Sequence, residues 1–365
     1  VPVGVFLSSG LDSSSITALS ASELPGHLQT VTLGFSEFVD RVQDETKLAE
    51  LVSRTYGTQH ETSWVSKADF WGAVPNILEA MDQPTVDGVN TYLVSRAAKE
   101  RQLKVALSGL GGDEIFGTYP SFTQVPRMHQ SLRWLSHFPA VGRGVRKLVA
   151  PTLRHFISPK YSSLIEYGSS FAGAYFLRRA LFMPWELPAV MDPDMAEAGW
   201  RELSTLDSLA NSIEGISSTR LKVMALEMQW YMRNQLLRDS DWAGMAHSLE
   251  IRTPLVDVIL FRRMLAMLIG SFRPTKEDMA NCALPALPSS VVTRTKSGFT
   301  VPVAEWLSHG TSSKGTSQAV RRWSRRVNSK APGVARVLAL VTDAFGGHGG
   351  IALYNRDLLT AIASH

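Results

Sequence analysis

In the stretch Val3–Leu19, the apolar residues Val3, Val5, Phe6 and Leu7 are followed at once by Ser8, Ser9 and Gly10. Asp12, Ser13, Ser14 and Ser15 then lead into Ile16, Ala18 and Leu19 at helical spacing. An apolar run this short, bounded by small polar residues, fits a central strand of a parallel sheet. The whole stretch therefore predicts a strand, a tight turn and a helix, with Asp12 or Ser13 as the helix cap. In such a turn the amide N–H groups gather at the positive end of a helix, and serine side chains add donors without bulk. That setting favours a di- or triphosphate. The bland alternative is a small-residue turn that binds nothing. A P-loop is excluded, because no lysine follows the glycine and the G-x-x-x-x-G-K spacing is missing.

The pattern then repeats. Leu28 to Phe35 reads as a second buried strand, Asp44 to Tyr56 as a helix ended by Gly57, and Gln59 to Val65 as a third strand. Lys67 to Met81 and Thr91 to Arg101 read as helices and Lys104 to Leu107 as a fourth strand. Strands alternating with crossover helices predict an α/β fold, a doubly wound parallel sheet, and the long remainder of the chain predicts a large helical portion. The fourth strand runs into ALSGLGGDEIFGTYP, residues 106–120. Ligands of such sheets bind beyond the carboxyl ends of the strands, where both turns fall. Gly109, Gly111 and Gly112 let backbone come close to a ligand, and Asp113 and Glu114 could hold Mg²⁺ on phosphates.

Residues 122–160 are basic and aromatic and read as a solvated helical insert rather than a nucleic-acid or membrane surface. Residues 160–215 read as helices without evident chemistry. In Leu221 to Asp257 the charged residues Arg238, Asp239, Asp241, His247, Glu250, Arg252 and Asp257 lie among apolar ones, open equally to a buried ion-pair network and to substrate contact. His247 alone reads as a structural histidine. Further on, Lys296 beside Gly298 could neutralise phosphate charge.

Composition narrows the class. Of 365 residues, 44% are hydrophobic, enough for a sizeable core, and the net charge of +4 is too mild to argue for nucleic acid but suits an anionic nucleotide. The single cysteine, Cys282, excludes a disulfide framework and a four-cysteine zinc site and fits a reducing cytoplasm. Within these residues there is no run of about 18 apolar residues, and no signal-peptide pattern is expected among them. The chain opens at Val1, on the verge of a core strand, so further sequence is expected to precede it.

Four blocks in order, LSSGLDSS, LSGLGGDEIFG, LLRDSDWAGMAHSLEIRTPLVD and RTKSGFTVP, resemble the synthetase domain of asparagine synthetase and its relatives, from Val3 to about Leu307. The first block resembles the S-G-G-x-D-S pyrophosphate loop of the N-type ATP pyrophosphatases, with Ser9 where the first glycine usually stands; a positive φ there would strain Ser9. The resemblance implies a sheet of the adenine-nucleotide α-hydrolase type and an ATP-dependent ligase that activates a carboxylate as an acyl-adenylate and then forms an amide. Ser8, Ser9, Gly10, Asp12 and Ser13 would hold the pyrophosphate. Leu7 and Leu33 would flank adenine, and Ser108 and Gly109 would touch the ribose or adenine edge. Asp12 and Asp113 would contact Mg²⁺. Lys296 would stabilise charge at the transferring phosphorus, and it counts with Asp113 and Glu114 among the catalytic residues.

Two departures stand out. Leu110 replaces the glutamate that removes a proton from the attacking amine in that family, leaving Glu114 nearest in sequence. Trp242 stands where a basic residue often follows the aspartate. The expected partners are a small carboxylate and ammonia, with a glutaminase domain that precedes such chains but is not among these residues. Aspartate is the leading acceptor; uronic-acid amidation, β-lactam or lasso-peptide ring closure, and a non-catalytic nucleotide scaffold are the alternatives. No membrane or nucleic-acid partner is expected, and the oligomeric state, a homodimer included, stays open. Residues 1–308 are expected to form the ligase domain and 309–332 a basic linker. Residues 333–365 resemble the opening βα unit of GT-B glycosyltransferases, which would place the gene beside or fused to polysaccharide assembly; the bland alternative is a C-terminal helix packing on the ligase domain.

Overall fold

The computed structural model describes residues 1–137, 139–153, 158–270, 273–294, 301–302, 305–306 and 321–327. Among the described residues five parallel strands form one sheet: β1 (Val3–Phe6), β2 (Gln29–Gly34), β3 (Gln59–Trp64), β4 (Val105–Leu107) and β5 (Glu250–Arg252), in the order β3-β2-β1-β4-β5. The chain winds one way from β1 through β2 to β3, then returns to place β4 on the other side of β1, pairing Val3, Gly4 and Val5 with Val105, Ala106 and Leu107. The switch point of this doubly wound sheet lies between β1 and β4, and its crevice opens at their carboxyl ends.

The connections are helices α1 (Leu11–Glu23), α2 (Thr46–Tyr56), α3 (Lys67–Ala80) and α4 (Gly88–Glu100). Gly57, in the left-handed region at φ 63, ends α2 as expected. The elements predicted between Val3 and Leu107 all form, with bounds trimmed by a few residues and α4 extended backwards to Gly88. β5 escapes the sequence, being three residues long with two of them exposed. It is held by its pairing to β4, a long-range contact with no local periodicity to announce it.

One apolar core lies against the sheet, built from residues such as Val31, Leu33, Phe70, Ile77 and Leu93. A second, around Val125, Ala174, Tyr175, Val223 and Leu226, belongs to the helical portion. Residues 321–327, inside the stretch expected to be a linker, are helical, and Trp323 is buried in the first core against Phe70. Arg321 of the same turn pairs with the buried Glu186. The tail 333–365 lies outside the described residues. No described helix is long and apolar enough to cross a membrane.

Candidate active site

The turn after β1 is closed by its own serines. Ser13 Oγ accepts from the Ser8 N–H at 3.2 Å, donates to the Gly10 carbonyl at 3.2 Å, and lies 3.1 Å from Ser8 Oγ. These bonds correct the expected cap. Gly10, in extended conformation, is the N-cap of α1, and Asp12 and Ser13 fall inside its first turn, where Ser13 is spent on the loop. Ser9 has φ 51 and is fully buried, so the left-handed geometry suspected from the sequence is present in a residue with a Cβ.

The second turn packs directly on the first. A Cβ on Gly109 would lie 3.0 Å from the Asp12 Cβ, and one on Gly112 would lie 2.4 Å from Asp12 Oδ1. The glycines of this turn thus admit the aspartate of the other. Helix α5 (Gly112–Phe116) starts here, and its Asp113 faces the same crevice. Lys276 Nζ donates to Asp12 Oδ2 and, at 2.6 Å, to Asp113 Oδ1, with 11% of its side chain exposed. Burial pulls the ammonium's pKa down, but the two carboxylates outweigh it and the net shift is upward. The two carboxylates expected to hold a cation therefore converge on one.

Lys276 was not singled out from the sequence. Its helix, Lys276–Ala280, starts with a capping box in which the Thr275 side chain accepts from the Asp278 N–H. Thr-x-x-Asp is a legible helix start. What it cannot tell is that the lysine next to the cap lands on a carboxylate 264 positions away.

Leu7 and Leu33 sit at the carboxyl ends of β1 and β2 but are only 1% and 3% exposed, so their side chains belong to the core and their backbone is what they can offer a ligand. Ser108 follows β4, its N–H bonded to the Arg252 carbonyl at 2.8 Å. Lys296 lies outside the described residues. Arg294, two positions before it, reaches the first turn: its guanidinium donates to Ser9 Oγ and to the Ser8 carbonyl at 3.4 Å.

Glu114 turns away from Asp113, into the helical portion. It is 1% exposed, Oε1 accepts from Tyr119 at 3.0 Å, and Oε2 has no hydrogen-bond partner among the described residues. Burial, the largest effect, and the neighbouring Asp113 charge push its carboxyl up to about 7. The same polar interior holds Glu227, fully buried and paired to Arg179 at 2.7 Å, while Arg179 lies 3.6 Å above the Tyr231 ring. Tyr231 and Gln235 both donate to Asp87, from a helix that is wound as π over Glu227–Leu236. Arg179 comes from the region read as free of chemistry. One of two adjacent arginines at the end of an amphipathic helix carries no sign in sequence of the glutamate it will meet.

Most of the charged block 238–257 resolves into structural pairs. Arg238 meets Asp82 at 2.5 Å, Asp239 accepts from Thr85 and Trp242, Arg252 pairs with Glu250, and Asp257 caps the following helix. Trp242 packs where a Cβ on Gly88 would come within 2.3 Å of its ring, so α4 is cut to fit the indole. His247 is buried against the Tyr92 ring, and burial lowers its pKa to about 4, which keeps it neutral, as a structural histidine is.

A parallel α/β sheet with two interlocked small-residue turns at its switch point, closing on a carboxylate pair, defines a nucleotide-binding class. The asparagine synthase family profile matches residues 1–346, and the chain belongs to that family. It is 32% identical over 331 residues to a Mycobacterium bovis protein provisionally named a glutamine-hydrolysing asparagine synthetase, covering 85% of this chain and 46% of that protein. It is 28% identical over 317 residues to glutamine-hydrolysing asparagine synthetase 1 of Bacillus subtilis, covering 84% of this chain and 47% of that one. A shorter match, 36% identical over 131 residues, joins 35% of the chain to 24% of a second provisionally named synthetase from Methanocaldococcus jannaschii. The chain thus spans about half the length of the first two relatives.

Proposed function

We propose that this chain carries the amide-forming half of a glutamine-hydrolysing asparagine synthetase type of ligase. In the first step an aspartate carboxylate oxygen attacks the α-phosphorus of ATP, and the bond to the β-phosphate oxygen breaks, giving an acyl-adenylate and pyrophosphate. In the second, ammonia attacks the acyl carbon, AMP leaves, and one proton is lost from nitrogen. The observation that carries the reading is the convergence of Asp12 and Asp113 on a single cation at the switch point, beside the serine turn.

The turn Ser8–Ser13 supports a role in holding the pyrophosphate through its amides at the start of α1, its serine hydroxyls being engaged in shaping the turn. Leu7, Leu33, Ser108 and Gly109 line the strand ends where the nucleoside would lie. Mg²⁺ fits the donor set: two hard carboxylate oxygens that already hold a cation, with phosphate oxygens and water to complete the shell. When bound, it would offset charge on the departing pyrophosphate. Among the described residues no third acidic, His or Cys side chain joins them. Lys276 would then pass from the carboxylates to the phosphates, and Lys296 would stabilise charge at the reacting phosphorus.

Leu110 cannot accept the amine's proton, and Glu114, the nearest carboxyl in sequence, is raised to about 7 by burial but is bonded to Tyr119 on the helical side, so it would serve as base only after turning toward the crevice. The relatives' names and length support a glutaminase partner as the nitrogen source.

The test is ATP–pyrophosphate exchange by the purified chain with Mg²⁺ and a panel of carboxylates headed by aspartate and including uronic acids. Exchange with aspartate, abolished by Asp12→Ala, is the expected result. Exchange with another acid moves the assignment to a different ligase. ATP binding without exchange for any acid leaves a scaffold.

A further inference from the structure

Ser9 occupies a position that costs an L-residue energy. At φ 51 its Cβ crowds the neighbouring carbonyl, a strain that persists only where the surroundings hold the residue in place. It is also fully buried, so water gives its hydroxyl no compensation. The compensation comes from Arg294. Nη1 donates to Ser9 Oγ and to the Ser8 carbonyl at 3.4 Å, while Nη2 donates to the Val42 carbonyl at 3.1 Å. Glu45 Oε1 lies 3.6 Å from the same guanidinium, and both side chains are about nine-tenths buried. A planar fork with donors in two directions can tie separate segments together in one geometry, which a lysine cannot. Here it ties the turn after β1, the chain leading into α2, and the start of the segment that carries Lys296. A glycine in place of Ser9 would need no such anchor and would leave Arg294 only its bond to the Ser8 carbonyl on this turn.

We propose that Arg294, oriented by Glu45 and the Val42 carbonyl, is a positioning residue that pins Ser9 in its left-handed turn and so presets the amides of Ser8–Ser13 before a nucleotide arrives. The value of this for catalysis rests on the nucleotide reading of the turn. The pinning itself does not, and it is measurable in nucleotide-free protein.

Hydrogen exchange is to be followed in the peptide spanning Ser8–Ser15 for the wild type, Arg294→Met, Ser9→Gly and the double variant. Arg294→Met should speed exchange of the turn about tenfold, the size expected for losing a charge-assisted hydrogen bond, with β2 and β4 unchanged. In the Ser9→Gly background the same change should add less than about threefold, because the strained hydroxyl is already gone. Arg294→Lys, which keeps the charge and loses the fork, should restore only part of the protection. Since Arg294→Met leaves Glu45 buried without its cation, the pair Arg294→Met/Glu45→Gln serves as the neutral version and should show the same local acceleration. Unchanged exchange in the turn, or equal acceleration whether or not Ser9 is present, would overturn the proposal. Mg-ATP affinity of each folded variant is the second readout and should weaken in step with the exchange. A wild type that binds no ATP would sink the nucleotide reading and leave the exchange comparison to decide the anchor.

Discussion

Replacing Gly112 by alanine tests the interlock of the two turns with one methyl group. The added Cβ would stand 2.4 Å from Asp12 Oδ1, 2.5 Å from its Cγ and 2.8 Å from Oδ2. Ordinary contact needs about 3.4 Å, so the carboxylate must retreat by about 1 Å, enough to break its bond to Lys276 and spoil the cation site; displacements of that size cost about a hundredfold in rate. The fold should survive. Gly112 is helical, where alanine is favoured by about 1 kcal/mol, against an overpacking cost of about 1–3 kcal/mol. The net loss of about 0–2 kcal/mol corresponds to a Tm lower by no more than several degrees. ATP–pyrophosphate exchange and thermal melting, measured on the same preparation, should therefore separate: exchange falls about a hundredfold while the Tm moves little. Exchange within twofold of wild type would refute the claim that the glycine exists to admit Asp12.

Three further outcomes follow from the charges. Lys276→Met leaves Asp12 and Asp113 facing each other, so the nucleotide-free protein should melt lower than wild type, and added Mg²⁺ should raise its Tm by more than it raises that of the wild type; equal Mg²⁺ shifts would count against a shared cation site. Arg179→Met strands the fully buried Glu227, at a cost of about 3–5 kcal/mol read from denaturant melts, and Glu227→Gln in the same background should recover much of it. Asp239 has its carboxyl raised to about 7, by burial first, against the bonds from Trp242 and Thr85 that lower it. A raised carboxyl favours the folded state when protonated, so this contribution is complete below about pH 4 and is lost as pH rises toward 7. Asp239→Asn should flatten the fall of Tm between about pH 4 and pH 7, whereas parallel curves for the two proteins would contradict the shift.

The sequence exposed the site wherever chemistry and local structure coincide. Strand β1 with its serine turn, the glycine turn ending in Asp113, and the helix stop at Gly57 are all set by neighbours within a few residues, and they stand where the pattern put them. Ser9 shows the gain from combining residue type with geometry, since a serine in a glycine position led to the positive φ that is found. The cap of α1 went the other way. Both Asp12 and Ser13 are good caps by type, but Ser13 closes the turn on Ser8 and Gly10, and Asp12 points across the crevice to Lys276.

By itself, then, the amino-acid sequence determined the parallel α/β sheet, the two turns at its carboxyl edge and the carboxylates they carry, because strand and helix periods and turn residues act over short range. Tertiary structure alone decided that Lys276 and Arg294, from the far end of the chain, complete those turns. It also decided that Glu114 faces Tyr119 rather than the cation, and that Arg179 finds Glu227. Apart from the Glu114–Tyr119 bond, which spans five positions, each of these brings a charged side chain to its partner across tens to hundreds of residues. The strength of such a pair is set by burial and geometry, which no local pattern encodes.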